Sequence, residues 1–180
     1  MMTAVTRQAE FPNDLDAIRS LFTEYAASLG IDLSYQSFEA ELSSLPGKYS
    51  ASQGGTILLT ETHTGGVVGC ASLRRLSSRS NACELKRFYL VPETRGLGLG
   101  KRLLESIIKE ARKLRYEEML LDTLSSMVAA RKMYKGFGFE ETKAYYETPI
   151  QDTVFLRLDL GKGQAWNLRN ITTEATSAGH

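Results

Sequence analysis

Apolar residues along the chain follow a helical spacing in four segments. In residues 14–29 they recur every three or four positions, which predicts an amphipathic helix with Asn13 as its N-cap and Gly30 at its end. The most regular apolar stripe ends at Leu114, and lysines and arginines lie off that stripe. Two shorter helices are predicted over the ranges 34–45 and 127–135.

Other segments have the short apolar runs or the alternation that is typical of strands. Residues 56–61 and 67–76 flank a glycine-containing turn, so they are predicted to form a hairpin. In the last predicted strand, aliphatic residues alternate with mostly polar ones, which indicates one buried face. The predicted strands cover the ranges 3–9, 56–61, 67–76, 82–91, 119–122, 139–143 and 153–160.

Length and composition fit one ordinary domain. The chain has 180 residues, of which 42% are hydrophobic, and its formal net charge is +1. We expect a single domain over 1–160 and a flexible polar tail over 161–180. A net charge close to zero gives no field that favours nucleic acid or an anionic membrane as a partner.

The same composition bears on location and on metals. No apolar run approaches the about 20 residues needed to span a bilayer, and the N-terminus lacks the apolar stretch of a signal peptide. We therefore expect a cytoplasmic protein, with Cys70 and Cys83 as reduced core thiols. With His63 and His180 as the two histidines, a metal site is not expected.

The glycine-rich segment 95–101, Arg-Gly-Leu-Gly-Leu-Gly-Lys, stands between a predicted strand and the basic amphipathic helix. Such a turn is a generic anion site, because glycines let the backbone approach closely and the first helical amides point at the ligand. The dinucleotide motif needs its third glycine one residue later, and the kinase-type phosphate loop needs Gly and Ser or Thr where Arg95 and Arg102 stand.

A third pattern, Arg/Gln-x-x-Gly-x-Gly/Ala, is met at every defined position by Arg95, Gly98 and Gly100. In this segment the sequence resembles the GCN5-related N-acetyltransferase (GNAT) superfamily, whose members bind acetyl-coenzyme A. A second family motif is matched by Ala130, Tyr134, Gly138 and Phe139, whereas Met127 stands at its usual asparagine position. The resemblance covers residues 82–139, and the substrate-binding half carries no diagnostic motif. The two motifs together comprise Arg95, Gly98, Gly100, Ala130, Tyr134, Gly138 and Phe139, with Met127 as the departure.

The resemblance implies an α/β fold with a mixed, mostly antiparallel sheet and helices on both faces. Strands near 82–91 and 117–123 are expected to run parallel and to splay apart, leaving a cleft for the coenzyme. It also implies which residues bind the coenzyme; the contact of the missing asparagine is either absent or supplied by Ser125 or Ser126. The expected coenzyme-binding residues are Phe88, Tyr89, Leu90, Val91, Arg95, Gly96, Leu97, Gly98, Leu99, Gly100, Lys101, Arg102, Ser125, Ala130 and Tyr134.

By the same resemblance, Tyr134 is the candidate general acid, since a phenol stays protonated at neutral pH and can donate to a departing thiolate. Glu84 is the candidate general base, with a surface carboxylate or an ion pair to Lys86 or Arg87 as the alternative. Tyr35, Tyr145 and Tyr146 are candidates for the acceptor pocket, with ordinary strand packing as the alternative for the last two.

The expected activity is direct transfer of an acetyl group from acetyl-CoA to a primary amine of a small molecule or a peptide, in a ternary complex. One alternative is an acyl-CoA-binding module without catalysis. Another is a small nucleotide-binding kinase, for which Arg102 does not supply the hydroxyl that holds magnesium. A homodimer is possible because members of the superfamily often dimerise.

Overall fold

A computed structural model describes residues 3–161, so the predicted tail lies outside the described residues except for its first residue. Seven strands form one sheet in the order β1-β2-β3-β4-β5-β7-β6. Neighbouring strands are antiparallel except β4 and β5, which are parallel. The strands are β1 (Ala4–Gln8), β2 (Thr56–Thr62), β3 (Val67–Arg75), β4 (Ala82–Leu90), β5 (Glu118–Leu124), β6 (Glu140–Glu141) and β7 (Thr153–Asp159).

Helices cover both faces of this sheet. One core lies under α3 and α4 and takes alternate residues of the central strands, such as Leu58 on β2. The other core lies under α1 and α2 and takes the intervening residues, such as Ile57 and Leu59. Strand alternation therefore sorts the side chains to two layers. The helices are α1 (Leu15–Leu29), α2 (Phe38–Ser44), α3 (Leu99–Lys113) and α4 (Val128–Gly136).

The predicted fold class is confirmed, and three local predictions are wrong. The range 34–45 is not one helix, because Ser37 has a φ of 55° and separates a 3₁₀ turn over Ser34–Gln36 from α2. Asp14, not Asn13, is the N-cap of α1, and the Asp14 carboxylate accepts hydrogen bonds from Arg7 and the Glu10 amide.

The third wrong prediction is the strand over 139–143. The strand is limited to two residues, Glu140 and Glu141, which pair with β7 at the edge of the sheet, and the Thr142 amide donates one further bond to the Phe155 carbonyl. Both glutamates are exposed. A short edge strand with exposed charged side chains is a common way to keep the edge of a sheet from pairing with another chain.

The parallel strands β4 and β5 separate soon after they meet, as predicted. They pair over three positions, which end at Glu84 opposite Leu120. Beyond that point β5 continues to pair with β7, and β4 continues to pair with β3 through a bulge. Arg87 lies in this bulge with a φ of 54°. The facing edges of β4 and β5 are therefore left open to a ligand.

Within residues 3–161, no helix has the length and apolar character needed to cross a membrane. In the same range, no group of three or more histidine, cysteine, aspartate or glutamate side chains is arranged to hold a metal ion. Cys70 and Cys83 are free and buried, which confirms that both are core thiols, and burial raises the pKa of each.

Candidate active site

The glycine-rich turn lies between a 3₁₀ turn over Pro92–Thr94 and the start of α3. Gly96 and Gly98 have φ values of +79° and +76°, and a Cβ atom on either would meet no atom within 4 Å. An L side chain at such a φ is strained. The turn therefore combines a backbone that needs glycine with open space in front of it.

The amides of this turn are available to a ligand. The first helical bond of α3 runs from the Arg102 amide to the Gly98 carbonyl. Among the hydrogen bonds that the structure describes, no amide of residues 96–101 donates to a protein acceptor, and Gly98 caps the helix without a side-chain bond. Unpaired amides at a helix N-terminus favour an anion such as a diphosphate.

Charged side chains surround the turn. Arg95 is exposed, donates from Nε to the Leu90 carbonyl at 3.2 Å and lies 5.7 Å from the centre of the Tyr89 ring. Lys101 and Arg102 are exposed on the first turn of α3, whereas Leu99 is buried and anchors the helix. The predicted anion-binding residues are thus brought together, and Leu97 is half exposed beside them.

A cavity opens where β4 and β5 separate, and we call it the splay cavity. Phe88 of β4 and Tyr134 of α4 line it from the side of α3. Its described lining residues are Tyr25, Leu29, Ile31, Leu33, Gln36, Leu85, Lys86, Arg87, Phe88, Leu121, Asp122, Thr123, Leu124, Met127, Tyr134 and Thr153.

Tyr134 is fixed in this cavity by aromatic packing. Its ring centre lies 6.1 Å from that of Phe88 and 5.6 Å from that of Phe139, both edge-on. Burial, with smaller contributions from Tyr25 and Asp122, raises the pKa of the Tyr134 phenol above its ordinary value. The phenol is therefore protonated at neutral pH, as a proton donor must be.

The residues predicted near α4 to bind the coenzyme differ in their surroundings. Met127 lines the splay cavity and its Sδ accepts from the Thr123 hydroxyl at 3.5 Å, so it is turned into the protein. Ala130 packs against the core under α3. Ser125 is exposed and does not belong to the described lining of the splay cavity. Its amide donates to the Asp152 carbonyl at 2.9 Å.

A second cavity lies between α2 and the sheet, and we call it the acceptor-side cavity. Three residues, Gln36, Lys86 and Arg87, line both cavities. The two cavities therefore meet at β4, just past its last pair with β5. The acceptor-side cavity is lined by Gln36, Ser37, Ala40, Glu41, Ser44, Pro46, Lys48, Tyr49, Arg74, Lys86, Arg87, Tyr146 and Glu147.

The three tyrosines predicted for the acceptor pocket have different surroundings. Tyr146 lines the acceptor-side cavity. Tyr145 does not line it, and its hydroxyl donates to Glu84 Oε1 at 2.9 Å. The two rings pack edge-on against each other and against Phe155. The backbone of Tyr35 lies in the 3₁₀ turn beside the cavity, but its side chain lies outside what the structure describes.

Glu84 is fully enclosed beneath the acceptor-side cavity. Arg74 donates to Glu84 Oε2 from Nε at 2.7 Å, and its Nη2 lies 2.6 Å from the same oxygen. Tyr145 holds Oε1, and Lys86 Nζ lies 3.8 Å from Oε1. Glu84 lines neither described cavity. The predicted alternative of an ion pair is therefore present, with Arg74 rather than Lys86 as the closest partner.

Arg87, the other predicted partner of Glu84, pairs with Glu41 instead. Its guanidinium is buried and lies 2.6 Å from Glu41 Oε2 of α2. It also donates to Gln36 Oε1 at 2.9 Å and packs over the Phe38 ring. These contacts connect the wall of the acceptor-side cavity to the bulge in β4.

The sequence did not single out Asp122 as a site residue. Asp122 lies on β5, lines the splay cavity and has its Oδ1 3.7 Å from Lys86 Nζ. Its one sequence signal is that an acid ends the buried run Met119-Leu120-Leu121. Arg74 had no such signal, because its role depends on strand pairing.

A family model and several similar proteins show the family to which this chain belongs. The model of the acetyltransferase (GNAT) family matches residues 15–139, which is more than half of the chain. The chain belongs to the GNAT family. It is an N-acetyltransferase whose acetyl donor is acetyl-CoA, which favours acyl transfer over the kinase alternative.

Individual GNAT relatives agree with this assignment. An uncharacterized N-acetyltransferase of Schizosaccharomyces pombe is 38% identical over 153 residues, which cover 85% of this chain and 93% of the relative. A GNAT acetyltransferase structure from Staphylococcus aureus Mu50 has a TM-score of 0.72 at 21% identity, covering 88% of this chain and 99% of that one. The YncA structure from Salmonella typhimurium, solved with acetyl-CoA, has a TM-score of 0.63 at 24% identity and covers 88% and 94%.

Proposed function

We propose that the protein transfers the acetyl group directly to a primary amine of a small molecule or a peptide, with both substrates bound at once. The observation that carries this proposal is the meeting of two cavities at β4, where Gln36, Lys86 and Arg87 line both. A donor in the splay cavity and an acceptor from the other side then meet without a covalent enzyme intermediate. Holding two reactants in this way lowers the barrier by several kcal/mol.

The residues of the donor side fit acetyl-CoA. Unpaired amides at the glycine turn suit its diphosphate, and the open edge of β4 suits its amide-containing arm, which can pair like an added strand. Bound acetyl-CoA supplies the acetyl group as an activated thioester. The proposed binding residues are Phe88, Tyr89, Leu90, Val91, Arg95, Gly96, Leu97, Gly98, Leu99, Gly100, Lys101, Arg102, Ser125, Ala130 and Tyr134.

Tyr134 is the proposed proton donor to the departing thiolate. Its position in the splay cavity supports this role, and its phenol is protonated at neutral pH and so has a proton to give. We expect Tyr134→Phe to lower kcat by about 10²-fold, the usual contribution of a positioned acid. Its control is Tyr116→Phe, since the Tyr116 hydroxyl is bonded to the Gly54 carbonyl and belongs to neither cavity.

For the proton of the acceptor ammonium, Glu84 remains the base predicted from the sequence. Because its carboxylate is enclosed, a base role for Glu84 needs a relay through Tyr145 or Lys86. Tyr146 and Tyr35 are proposed to contact the acceptor. A single domain over 1–160, a tail over 161–180, a cytoplasmic location and a homodimer also remain proposals.

The experiment that tests the function measures thiol release from acetyl-CoA with amino acids, polyamines, aminoglycosides and peptides in turn. Amine-dependent release, lost in Tyr134→Phe and kept in Tyr116→Phe, is the expected result. If acetyl-CoA binds but no amine increases thiol release, the acyl-CoA-binding module without catalysis is the better description.

A further inference from the structure

Two charged side chains face each other across the start of the splay. Lys86 on β4 and Asp122 on β5 each lie two residues beyond the last β4–β5 pair, Glu84 opposite Leu120. Lys86 Nζ and Asp122 Oδ1 are 3.7 Å apart. Both residues line the splay cavity.

Strand alternation fixes the face on which Asp122 stands. Cys83 and Leu85 of β4, and Met119 and Leu121 of β5, pack into the core under α3. The intervening residues point to the opposite face, which is the face of the acceptor-side cavity. Asp122 is one of these intervening residues.

Tyr134 lies on the other face of the same opening. It packs with Phe88 in the core under α3. One cavity thus has a phenol on the coenzyme side and a carboxylate on the acceptor side. Acetyl transfer needs a proton donor near the sulfur and a proton acceptor near the amine, so the two groups stand where the reaction needs them.

The two carboxylates near the splay differ in access. Glu84 is 0% exposed, and Arg74 and Tyr145 hold its oxygens. The Asp122 side chain is 18% exposed, and its ion-pair partner Lys86 is too distant for a hydrogen bond. Among the described residues, Asp122 accepts no side-chain hydrogen bond. An amine entering the splay can therefore reach Asp122 directly but not Glu84.

We propose that Asp122 is the catalytic residue that takes the proton from the acceptor ammonium, an inference that rests on the proposed acetyl transfer. The freed nitrogen lone pair forms the bond to the thioester carbonyl carbon, and the C–S bond breaks with its electron pair on sulfur. Tyr134 gives its proton to that sulfur and regains one from the acetylated nitrogen. Asp122 releases its proton to solvent, so the sum is amide, thiol and one proton.

The groups that face Asp122 come from several elements. Lys86 faces it from β4, Tyr134 from α4 and Tyr145 from the segment before β7. Burial, then Glu84 and then Asp122 raise the pKa of the Tyr145 phenol, and burial, then Tyr25 and then Asp122 raise that of Tyr134, so both phenols stay neutral. Glu84 lies behind Lys86 and is its second carboxylate neighbour. Lys86 and Glu84 are therefore positioning residues in this scheme.

The test compares Asp122→Asn with Glu84→Gln and with Asp16→Asn, an exposed aspartate of α1 that belongs to neither cavity. The rate is measured against pH with acetyl-CoA and the panel amine that the wild type acetylates fastest. Hydroxylamine serves as a second acceptor, because it is largely unprotonated at neutral pH and needs no base to become a nucleophile.

We expect Asp122→Asn to lower kcat/KM for the panel amine by about 10²-fold at neutral pH, and this deficit should shrink as pH approaches the pKa of the amine, where the acceptor is already deprotonated. Its hydroxylamine rate and its acetyl-CoA affinity should stay close to wild type. Asp122→Glu should restore most of the neutral-pH rate. Glu84→Gln should show no deficit that shrinks with rising pH, and Asp16→Asn should match wild type throughout.

Two results overturn the inference alone: a neutral-pH amine rate kept in Asp122→Asn, or a hydroxylamine rate that falls as far as the amine rate. A neutral-pH deficit that shrinks with rising pH in Glu84→Gln, with none in Asp122→Asn, would return the base role to Glu84. A wild type that acetylates neither hydroxylamine nor any panel amine overturns the proposed function itself, and the inference with it.

Discussion

Gly98→Ala separates the ligand role of the glycine turn from its structural role. Gly98 has a φ of +76°, and a Cβ there would meet no protein atom within 4 Å. Gly30, which ends α1, has a φ of +63° and equally open surroundings. The two glycines are therefore matched in backbone strain and in space, and only Gly98 lies at the proposed diphosphate site.

The expected losses of unfolding free energy and of CoA affinity follow from this match in strain and space. An alanine in the left-handed region costs about 1–2 kcal/mol, and the smaller entropy of the unfolded alanine chain offsets about 0.4–1 kcal/mol of it. Each variant should therefore lose on the order of 1 kcal/mol of unfolding free energy. At Gly98 the new methyl group also occupies the space before unpaired amides. Loss of one charge-assisted hydrogen bond, about 1.5–3 kcal/mol, lowers CoA affinity roughly 10- to 100-fold.

The assay is urea unfolding of the ligand-free variants, followed by calorimetric titration with CoA. Both variants should unfold at similar urea concentrations, and only Gly98→Ala should bind CoA more weakly. A Gly98→Ala protein that is destabilised like Gly30→Ala yet binds CoA as wild type does would refute the diphosphate role of the turn. Equal losses of affinity in both variants would also refute it.

Three further substitutions test the packing and charges around the site. The hydrogen bond from Arg7 lowers the Asp14 pKa below its ordinary value of 3.8, so the stability that the Asp14 carboxylate contributes is lost as pH falls through the folded-state pKa. Asp14→Asn should therefore cost on the order of 1 kcal/mol of unfolding free energy at pH 7 and make that free energy depend less on pH in the acid range. Gly55→Ala places a Cβ 2.6 Å from the Tyr49 Cα, so urea unfolding should show a loss of roughly 1–3 kcal/mol. Glu41→Gln removes the charge that pairs with buried Arg87, and we expect a loss on the order of 2 kcal/mol in thermal unfolding.

The donor half of the site could be predicted because its signals are local. The glycines at 96 and 98 need positive φ, and the stripe that begins with Leu103 and Leu104 needs a helix directly after them. Strand, turn and helix therefore follow from neighbouring residues. The spacing of Tyr134 to Gly138 and Phe139 is likewise a local signal. In the structure, Tyr134 and Phe139 belong to one core cluster.

The surroundings of Glu84 could not be predicted, because its partners are distant in sequence. Arg74 reaches it across the β3–β4 register, and Tyr145 comes from 61 residues further along the chain. Lone carboxylates in a strand give no sign of whether they end up enclosed. For the same reason Asp122 looked like the ordinary end of a strand, although the splay leaves its side chain accessible.

The splay itself explains why acid and base chemistry can share one opening in this fold. A continuous sheet separates its two faces, so a phenol under α3 and a carboxylate on the other face would not reach the same bond. Pairing of β4 and β5 stops after Glu84 and Leu120, and the bulge at Arg87 keeps β4 paired to β3 instead. Tyr134 and Asp122 both line the gap that results, and in the proposed scheme the thioester lies between them. In that scheme, the irregularity of the sheet is what lets a donor bound on one face react with an acceptor bound on the other.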